Sequence, residues 1–77
     1  MTLRQLLDPL HYATRVKVFE PDTAPYTDEL IRIADSMSED ILAYGENQML
    51  DREVEFWAVH KDDLGLFVAV TLEEVKR

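Results

Sequence analysis

The sequence contains no cysteine and only two glycines and three prolines in 77 residues. Without cysteine, the chain has no disulfide framework, no thiolate metal site and no cysteine nucleophile. Its longest apolar run, Leu66–Val70, is far shorter than the roughly 20 residues that span a bilayer. We also expect no signal peptide, because no apolar segment near Met1 ends in a cleavage site. The length of 77 residues predicts a single domain over residues 1–77, and these absences predict that it is cytoplasmic and not membrane-bound.

Basic residues are also scarce, since 8 Lys and Arg stand against 16 Asp and Glu, a formal net charge of −8. Residues 18–51 hold nine acids and one base, so the whole deficit lies in the middle third of the chain. Such a field repels nucleic acid, and we expect no direct nucleic-acid binding. It attracts a basic protein surface. The alternative is that the acids only keep a small protein soluble.

The first half of the chain predicts a helix and a strand. Thr2 and Gln5 form a capping box that opens a short helix, and the helix should end near Asp8 because Pro9 follows. Residues 14–20 alternate between apolar and polar in the way of a strand.

Residues 27–44 fit two structures, either one helical stripe or a strand followed by a helix. We favour a strand over 29–34 and a helix over about 37–44. Ser36 and Glu39 make a second capping box, and Gly45 is placed to end the helix.

The second half predicts a hairpin. Residues 52–60 read as a strand with Val54, Phe56 and Ala58 on one face. Residues 61–65 form the turn, and residues 66–72 return as a strand that is apolar on both faces, which is typical of a central strand. The resulting fold class is α+β: a small antiparallel sheet of three or four strands, a short N-terminal helix and one helix between two hairpins.

Groups suited to catalysis are few. His11 and His60 show no metal-ligand spacing, and His60 with Asp62 and Asp63 fits a solvated turn better than a cation site. No serine nucleophile motif or glycine-rich phosphate loop is present. We therefore expect no enzymatic activity, no metal and no cofactor.

Acidic residues on the predicted strand 52–60 suggest a binding surface. Glu53 and Glu55 lie on one face at roughly 6.8 Å, comparable to neighbouring phosphates, and Trp57 follows them. Joined to an acidic helix start, this face would imitate a phosphate track. The alternative is that both carboxylates simply face solvent beside a packed Trp57.

Most aromatic side chains are expected in the core, because a domain of this size needs every large apolar group. Tyr26 is the exception, since it lies in a proline-bounded loop among acids and is typical of a contact residue. The predicted partner-binding residues are Asp22, Tyr26, Asp28, Glu29, Asp35, Glu39, Asp40, Glu53, Glu55 and Trp57.

Two short motifs carry a resemblance. After a leucine-rich opening come the sequences RVKVFE at residues 15–20 and LDREV at residues 50–54, and an apolar strand closes the chain. This order resembles small uncharacterised proteins of phages and integrative elements of Gram-positive bacteria. The chain departs from them at Ala24-Pro25-Tyr26, where a glycine is usual, and in a longer, more acidic segment 37–49.

The resemblance implies a phage or mobile-element setting and assigns no catalytic residue. Small acidic proteins in that setting often block a host protein, and those that target CRISPR nucleases frequently imitate DNA charge. The leading expectation is thus a non-catalytic inhibitor that docks a basic surface in the host cytoplasm. The alternatives are a small homo-oligomeric assembly protein, such as a homodimer, and a sponge for a small ligand held between protomers.

Overall fold

A computed structural model of the protein describes residues 1–10, 13–21 and 30–74. Within these residues the elements are, in chain order, α1 (Leu3–Leu7), β1 (Arg15–Pro21), β2 (Leu30–Met37), α2 (Ser38–Tyr44), α3 (Asn47–Leu50), β3 (Val54–Asp62) and β4 (Gly65–Leu72). The α+β class with a small sheet and a short N-terminal helix is confirmed. Two short helices, α2 and α3, follow β2 where one was expected. None of the described helices is long and apolar enough to cross a membrane.

The four strands lie in the order β2-β1-β4-β3. β1 with β2, and β3 with β4, pair antiparallel, whereas β1 and β4 pair parallel. The expectation of a wholly antiparallel sheet is therefore wrong. The physical reason is the connection through α2 and α3, which carries the chain back before β3 begins, so that β3 runs in the same direction as β2 and β4 in the same direction as β1. β4 lies inside the sheet, as its apolar faces predict.

The core lies between the helices and one face of the sheet, called here the helix-side face. Its buried side chains are Leu3, Leu6, Leu7, Val16, Val18, Ile41, Leu50, Val68, Val70 and Leu72. All of them are aliphatic. Among the described aromatic residues, Phe19 and Phe67 are half-buried and Tyr44, Phe56 and Trp57 are exposed. The expectation that most aromatics lie in the core is thus wrong for these five, because aliphatic side chains occupy the buried apolar positions under the helices.

The first capping box is confirmed and the second is not. Thr2 Oγ1 accepts the backbone N–H of Gln5 at 3.2 Å, and the Gln5 amide oxygen accepts the backbone N–H of Thr2 at 2.9 Å. Ser36, by contrast, still belongs to β2, and its hydroxyl donates to Asp40 at 3.3 Å. Met37 is the N-cap of α2 and makes no side-chain capping bond.

A bulge in β3 changes which side chains share a face. Val54 pairs with Leu72, but Phe56 pairs with Thr71, so Glu55 is an extra residue in the strand. Val54 therefore shares the helix-side face with Trp57, and Phe56 lies on the second face. The predicted grouping of Val54 with Phe56 is wrong, because strict alternation does not hold through a bulge.

Candidate binding groove

The described acids of the middle third fall into two groups. Three form ion pairs: Glu20 with Arg52, Asp35 with Arg32 and Asp51 with Arg4. The other three are exposed and have no ion pair within the described part of the chain: Glu39, Asp40 and Glu46. All three lie on α2 or on the link between α2 and α3. The uncompensated negative charge of the described middle third is thus concentrated at one place.

A groove of about 780 Å³ lies beside two of these carboxylates, Asp40 and Glu46, between β2, α2 and the start of α3. Glu39 lies instead beside a second depression, which Asp8 and Leu10 also line. The lining residues of the groove are Ile33, Ala34, Ser36, Asp40, Ile41, Tyr44, Gly45, Glu46 and Met49. Most of this lining is apolar, Asp40 and Glu46 contribute charge, and Tyr44 is 85% exposed. We call this feature the α2 groove.

Local sequence builds the groove. Ile41 is buried and anchors α2 on the core, while Asp40 and Tyr44 lie four residues apart and so share one side of the helix. Gly45 ends α2 with φ at −67°, so its role is not a left-handed conformation. A Cβ at Gly45 would lie 2.4 Å from the Ile41 carbonyl oxygen and 3.0 Å from Met49 Cε. Glycine at this position therefore avoids a clash with the last turn of α2, and it leaves room for the end of the Met49 side chain.

The groove has the chemistry of a site for cationic side chains. Lys and Arg lay their aliphatic stems along apolar surface while the charged group reaches polar partners. Here the apolar lining would take the stem, and Asp40 and Glu46 would take the charge. The exposed ring of Tyr44 offers a further contact, since a guanidinium stacks on aromatic faces.

The remaining described acids of the predicted set lie elsewhere. The Glu53 carboxylate accepts a hydrogen bond from the Met1 amino group at 2.8 Å. Glu55 lies in the β3 bulge, beside a depression of about 380 Å³ that Glu73 and Glu74 also line. Trp57 is 50% exposed on the helix-side face.

Glu55 and Trp57 lie on the outer strand β3, and Glu53 comes directly before it. Because β1 and β4 lie between β2 and β3, the two outer strands are roughly 14 Å apart. The described residues thus do not form one continuous acidic face from strand 52–60 to the helix start. Asp22, Tyr26, Asp28 and Glu29 lie outside the described residues.

Asp62 has a different role from the other acids. It accepts two bonds from Arg15, at 2.8 and 2.9 Å, one from Lys17 at 3.1 Å and one from the Leu64 backbone N–H at 2.9 Å. The hydrogen bond from Arg15, followed by those from Leu64 and Lys17, holds the pKa of Asp62 well below its usual range despite partial desolvation. Lys17 also lies 4.4 Å from the centroid of the Phe67 ring.

Asp62 is therefore an internal ionic partner on the second face of the sheet, and it links β3 to β1 across β4. A turn within residues 61–65 is confirmed, but only Asp63 and Leu64 form it, and the placement of Asp62 in a solvated turn is wrong because Asp62 belongs to β3 and is half-buried. In residues 1–10, 13–21 and 30–74, no group of three His, Cys, Asp or Glu is arranged to hold a metal.

Sequence reasoning missed Tyr44 and Glu46 as members of the site. In the single-helix alternative for residues 27–44, Tyr44 belongs to the apolar stripe, whereas in the structure its side chain is exposed and shares a side of α2 with Asp40. The useful signal was the i, i+4 spacing of Asp40 and Tyr44 followed at once by Gly45 and Glu46.

Comparison of the chain with protein-family models, with curated proteins and with solved structures finds no match.

Proposed function

We propose that the protein is a non-catalytic interaction module that binds a basic surface of another protein through the α2 groove. The observation that carries the proposal is the gathering of Glu39, Asp40 and Glu46 around α2 without ion-pair partners among the described residues. The other three described acids of the middle third are each offset by an arginine. Charge left uncompensated beside an apolar groove favours an external cation over an internal one.

The shape of the groove supports a protein partner. An apolar interior, an acidic border and one exposed aromatic side chain match the usual anatomy of an interface, in which an apolar centre has a polar rim. Tyr44 would be the anchor, because tyrosine is enriched among residues that dominate binding energy.

The biological setting follows the resemblance of the RVKVFE and LDREV motifs. We propose a phage or mobile-element protein that acts in the host cytoplasm as an inhibitor. Its partner would be a host enzyme with a basic nucleic-acid-binding surface, of the CRISPR nuclease kind. Asp40 and Glu46 would then compete with phosphates for the same Lys and Arg side chains.

The test is capture of partners from host lysate with the wild type and two charge-reversal variants. Asp40→Lys/Glu46→Lys changes the groove, and Glu73→Lys/Glu74→Lys makes the same change in net charge at the end of β4. The proposal expects the groove variant to lose the partner and the control to retain it. Because Asp40 is in the first turn of α2, where a carboxylate stabilises the helix, Tyr44→Ala serves as an uncharged second variant.

Competition with duplex DNA for the partner distinguishes mimicry of nucleic acid from simple attraction between opposite charges. If the groove occupies a nucleic-acid site, excess DNA displaces the protein from its partner. A ternary complex in a gel-shift assay would rule out mimicry and leave the binding proposal intact. Binding that does not weaken as salt rises would contradict the electrostatic proposal itself.

A further inference from the structure

The outer edge of β2 lies directly beside the α2 groove. β2 is an outer strand of the order β2-β1-β4-β3, and among the described residues only β1 pairs with it. Three residues of β2, Ile33, Ala34 and Ser36, line the groove. An outer strand presents unpaired backbone N–H and C=O groups to an extended segment that approaches it. A partner that binds in the groove therefore also meets an unpaired strand edge.

The pairing with β1 determines which backbone groups of β2 point outward. Facing residues of an antiparallel pair alternate between hydrogen-bonded and non-hydrogen-bonded pairs. In the register that β1 and β2 share, the Ser38 N–H donates to the Thr14 carbonyl at 2.8 Å. Because Ser38 is bonded to this side, Ser36 also directs its backbone groups to β1. The N–H and C=O groups of Asp35 and Met37 therefore point away from the sheet.

A bulge limits how much of this edge is regular. Val18 pairs with Ala34 but Phe19 pairs with Arg32, so Ile33 is an extra residue in β2. A bulge interrupts regular pairing. The regular part of the edge thus runs over residues 34–37, which is enough for a short segment bonded to two outward residues.

A segment paired with this edge would place a side chain next to Asp40. The Ser36 hydroxyl donates to the Asp40 carboxylate at 3.3 Å, so this carboxylate lies over β2. Facing residues on neighbouring strands point to the same side of the sheet, with Cβ atoms about 5 Å apart. A side chain opposite Ser36 would therefore enter the α2 groove within reach of Asp40. A side chain two residues away, opposite Ala34, would lie on the same side.

Charge determines which side chains suit these two positions. Asp40 and Glu46 line the groove, and neither has an ion pair among residues 1–10, 13–21 and 30–74. Lysine and arginine carry the complementary charge on stems long enough to pass along the apolar lining. Aspartate or glutamate opposite Ser36 would instead be repelled by Asp40.

We propose that the partner supplies an extended segment that adds to β2 as a further strand, with lysine or arginine at alternate positions in the α2 groove. Strand addition at β2 rests on the proposed function and specifies how the basic surface is bound. Backbone hydrogen bonds to Asp35 and Met37 set the register, and contacts with Asp40 and Glu46 select the charge. In this mode of recognition the main chain supplies affinity and alternate side chains supply specificity.

Met37→Pro tests the backbone contact without a change in charge. Proline has no N–H and fixes φ at about −65°, while Met37 has φ at −71° and does not use its N–H to pair with β1. Ser36 is in a strand, the conformation that a following proline favours. The variant should therefore keep the circular dichroism and the urea midpoint of the wild type. Met37→Ala is the matched control, because it removes the same side chain and keeps the N–H.

The probe is an acetylated and amidated heptapeptide in which threonine and arginine alternate, titrated by calorimetry at low salt. The wild type should bind it saturably below about millimolar concentration. Met37→Pro should weaken binding about tenfold, because one hydrogen bond is lost and the proline ring takes its place. Met37→Ala should stay within about twofold of the wild type. Asp40→Asn should weaken binding more than Glu73→Gln, which removes the same charge outside the groove.

Amide exchange gives a readout that needs no variant, since the N–H of Asp35 should become protected when the peptide binds. Equal binding by Met37→Pro and Met37→Ala, or an Asp35 N–H that stays unprotected, would overturn strand addition. Binding in the α2 groove would still stand if Asp40→Asn weakened the peptide more than Glu73→Gln. Equal effects of those two substitutions would contradict the groove itself. A peptide that does not bind below about millimolar concentration would overturn strand addition and leave the proposed function to the capture experiment.

Discussion

At the scale of single residues, the carboxylate of Asp62 joins the outer strand β3 to β1. Both oxygens are engaged by Arg15, and Lys17 and the Leu64 N–H add two more bonds. The geometry with Arg15 is bidentate, which gives direction as well as attraction. Arg15 in turn has a raised pKa, chiefly because of its hydrogen bond to Asp62.

Asp62→Asn should lower the urea midpoint at neutral pH, because the amide cannot bind Arg15 and Lys17 as an anion does. The pKa of Asp62 is lowered in the folded state, so its contribution is complete above the unfolded pKa of about 4 and is lost as pH falls further. The difference between wild type and variant should thus be constant from about pH 7 to pH 5 and shrink below about pH 4.

The neighbouring exposed Asp63 supplies the matched control, since the same change there removes a carboxylate from the same turn. Asp63→Asn should leave the midpoint and its pH dependence close to those of the wild type. Equal effects of the two substitutions would contradict the role given to Asp62.

Gly45 is needed for space. Gly45→Ala would drive a methyl group to within 2.4 Å of the Ile41 carbonyl, and we expect a loss of about 1–3 kcal/mol in the free energy of unfolding. Ala43→Ser, at an exposed position of the same helix, should change stability by less than about 0.5 kcal/mol. Urea denaturation measures both, and an unchanged midpoint for Gly45→Ala would contradict the lack of space for a side chain at the end of α2.

At the scale of elements, α1 shows how a very short helix is held. Five residues are too few for a helix to be stable alone, but Leu3, Leu6 and Leu7 are all buried. The capping box at Thr2 satisfies backbone N–H groups that would otherwise lack partners. Packing and capping together stabilise α1 in spite of its short length.

Thr2→Ala should therefore cost about 1 kcal/mol of stability, whereas Thr2→Ser should cost much less because serine caps equally well. Chemical denaturation of the two variants under identical conditions checks this. If both variants lose the same stability, the hydroxyl does not cap α1 in solution.

The beginning or end of an element could be predicted from the sequence where a few neighbouring residues determine it. The Thr2–Gln5 box, the Pro9 stop and the turn before Gly65 each depend on neighbouring residues, and each prediction is confirmed. The β3 bulge was not predictable, because Glu55 carries no glycine or proline signal and the extra residue is visible only against β4. The exposure of Tyr44 depends likewise on where α2 docks, and periodicity alone does not settle that.

At the scale of the whole molecule, the net charge can be counted from the sequence, whereas the sheet topology cannot be predicted from it. The net charge of −8 remains after every Lys and Arg has been counted, so the folded chain repels itself. The parallel pairing of β1 with β4 is a long-range property, and no local pattern distinguishes it from an antiparallel neighbour. The acidic segment 18–51 was identified from sequence, but the division of its members between ion pairs and the groove required the fold.

Added salt should therefore stabilise the protein. Screening the excess carboxylates relieves repulsion, while the exposed ion pairs that salt also weakens contribute little. The melting temperature should rise by a few degrees between about 10 mM and 200 mM sodium chloride. The Glu73→Lys/Glu74→Lys variant should show a smaller rise, and a fall in the wild type would mean that attractive pairs dominate.

The most direct measurement for the binding proposal is a titration of the isotopically labelled protein with its captured partner, followed by backbone amide NMR. The account predicts that the largest shifts fall around the α2 groove, at Ile33 and Ala34 and along residues 40–49. Shifts concentrated along β3, or at the end of β4 around Glu73 and Glu74, with the groove unchanged, would contradict it.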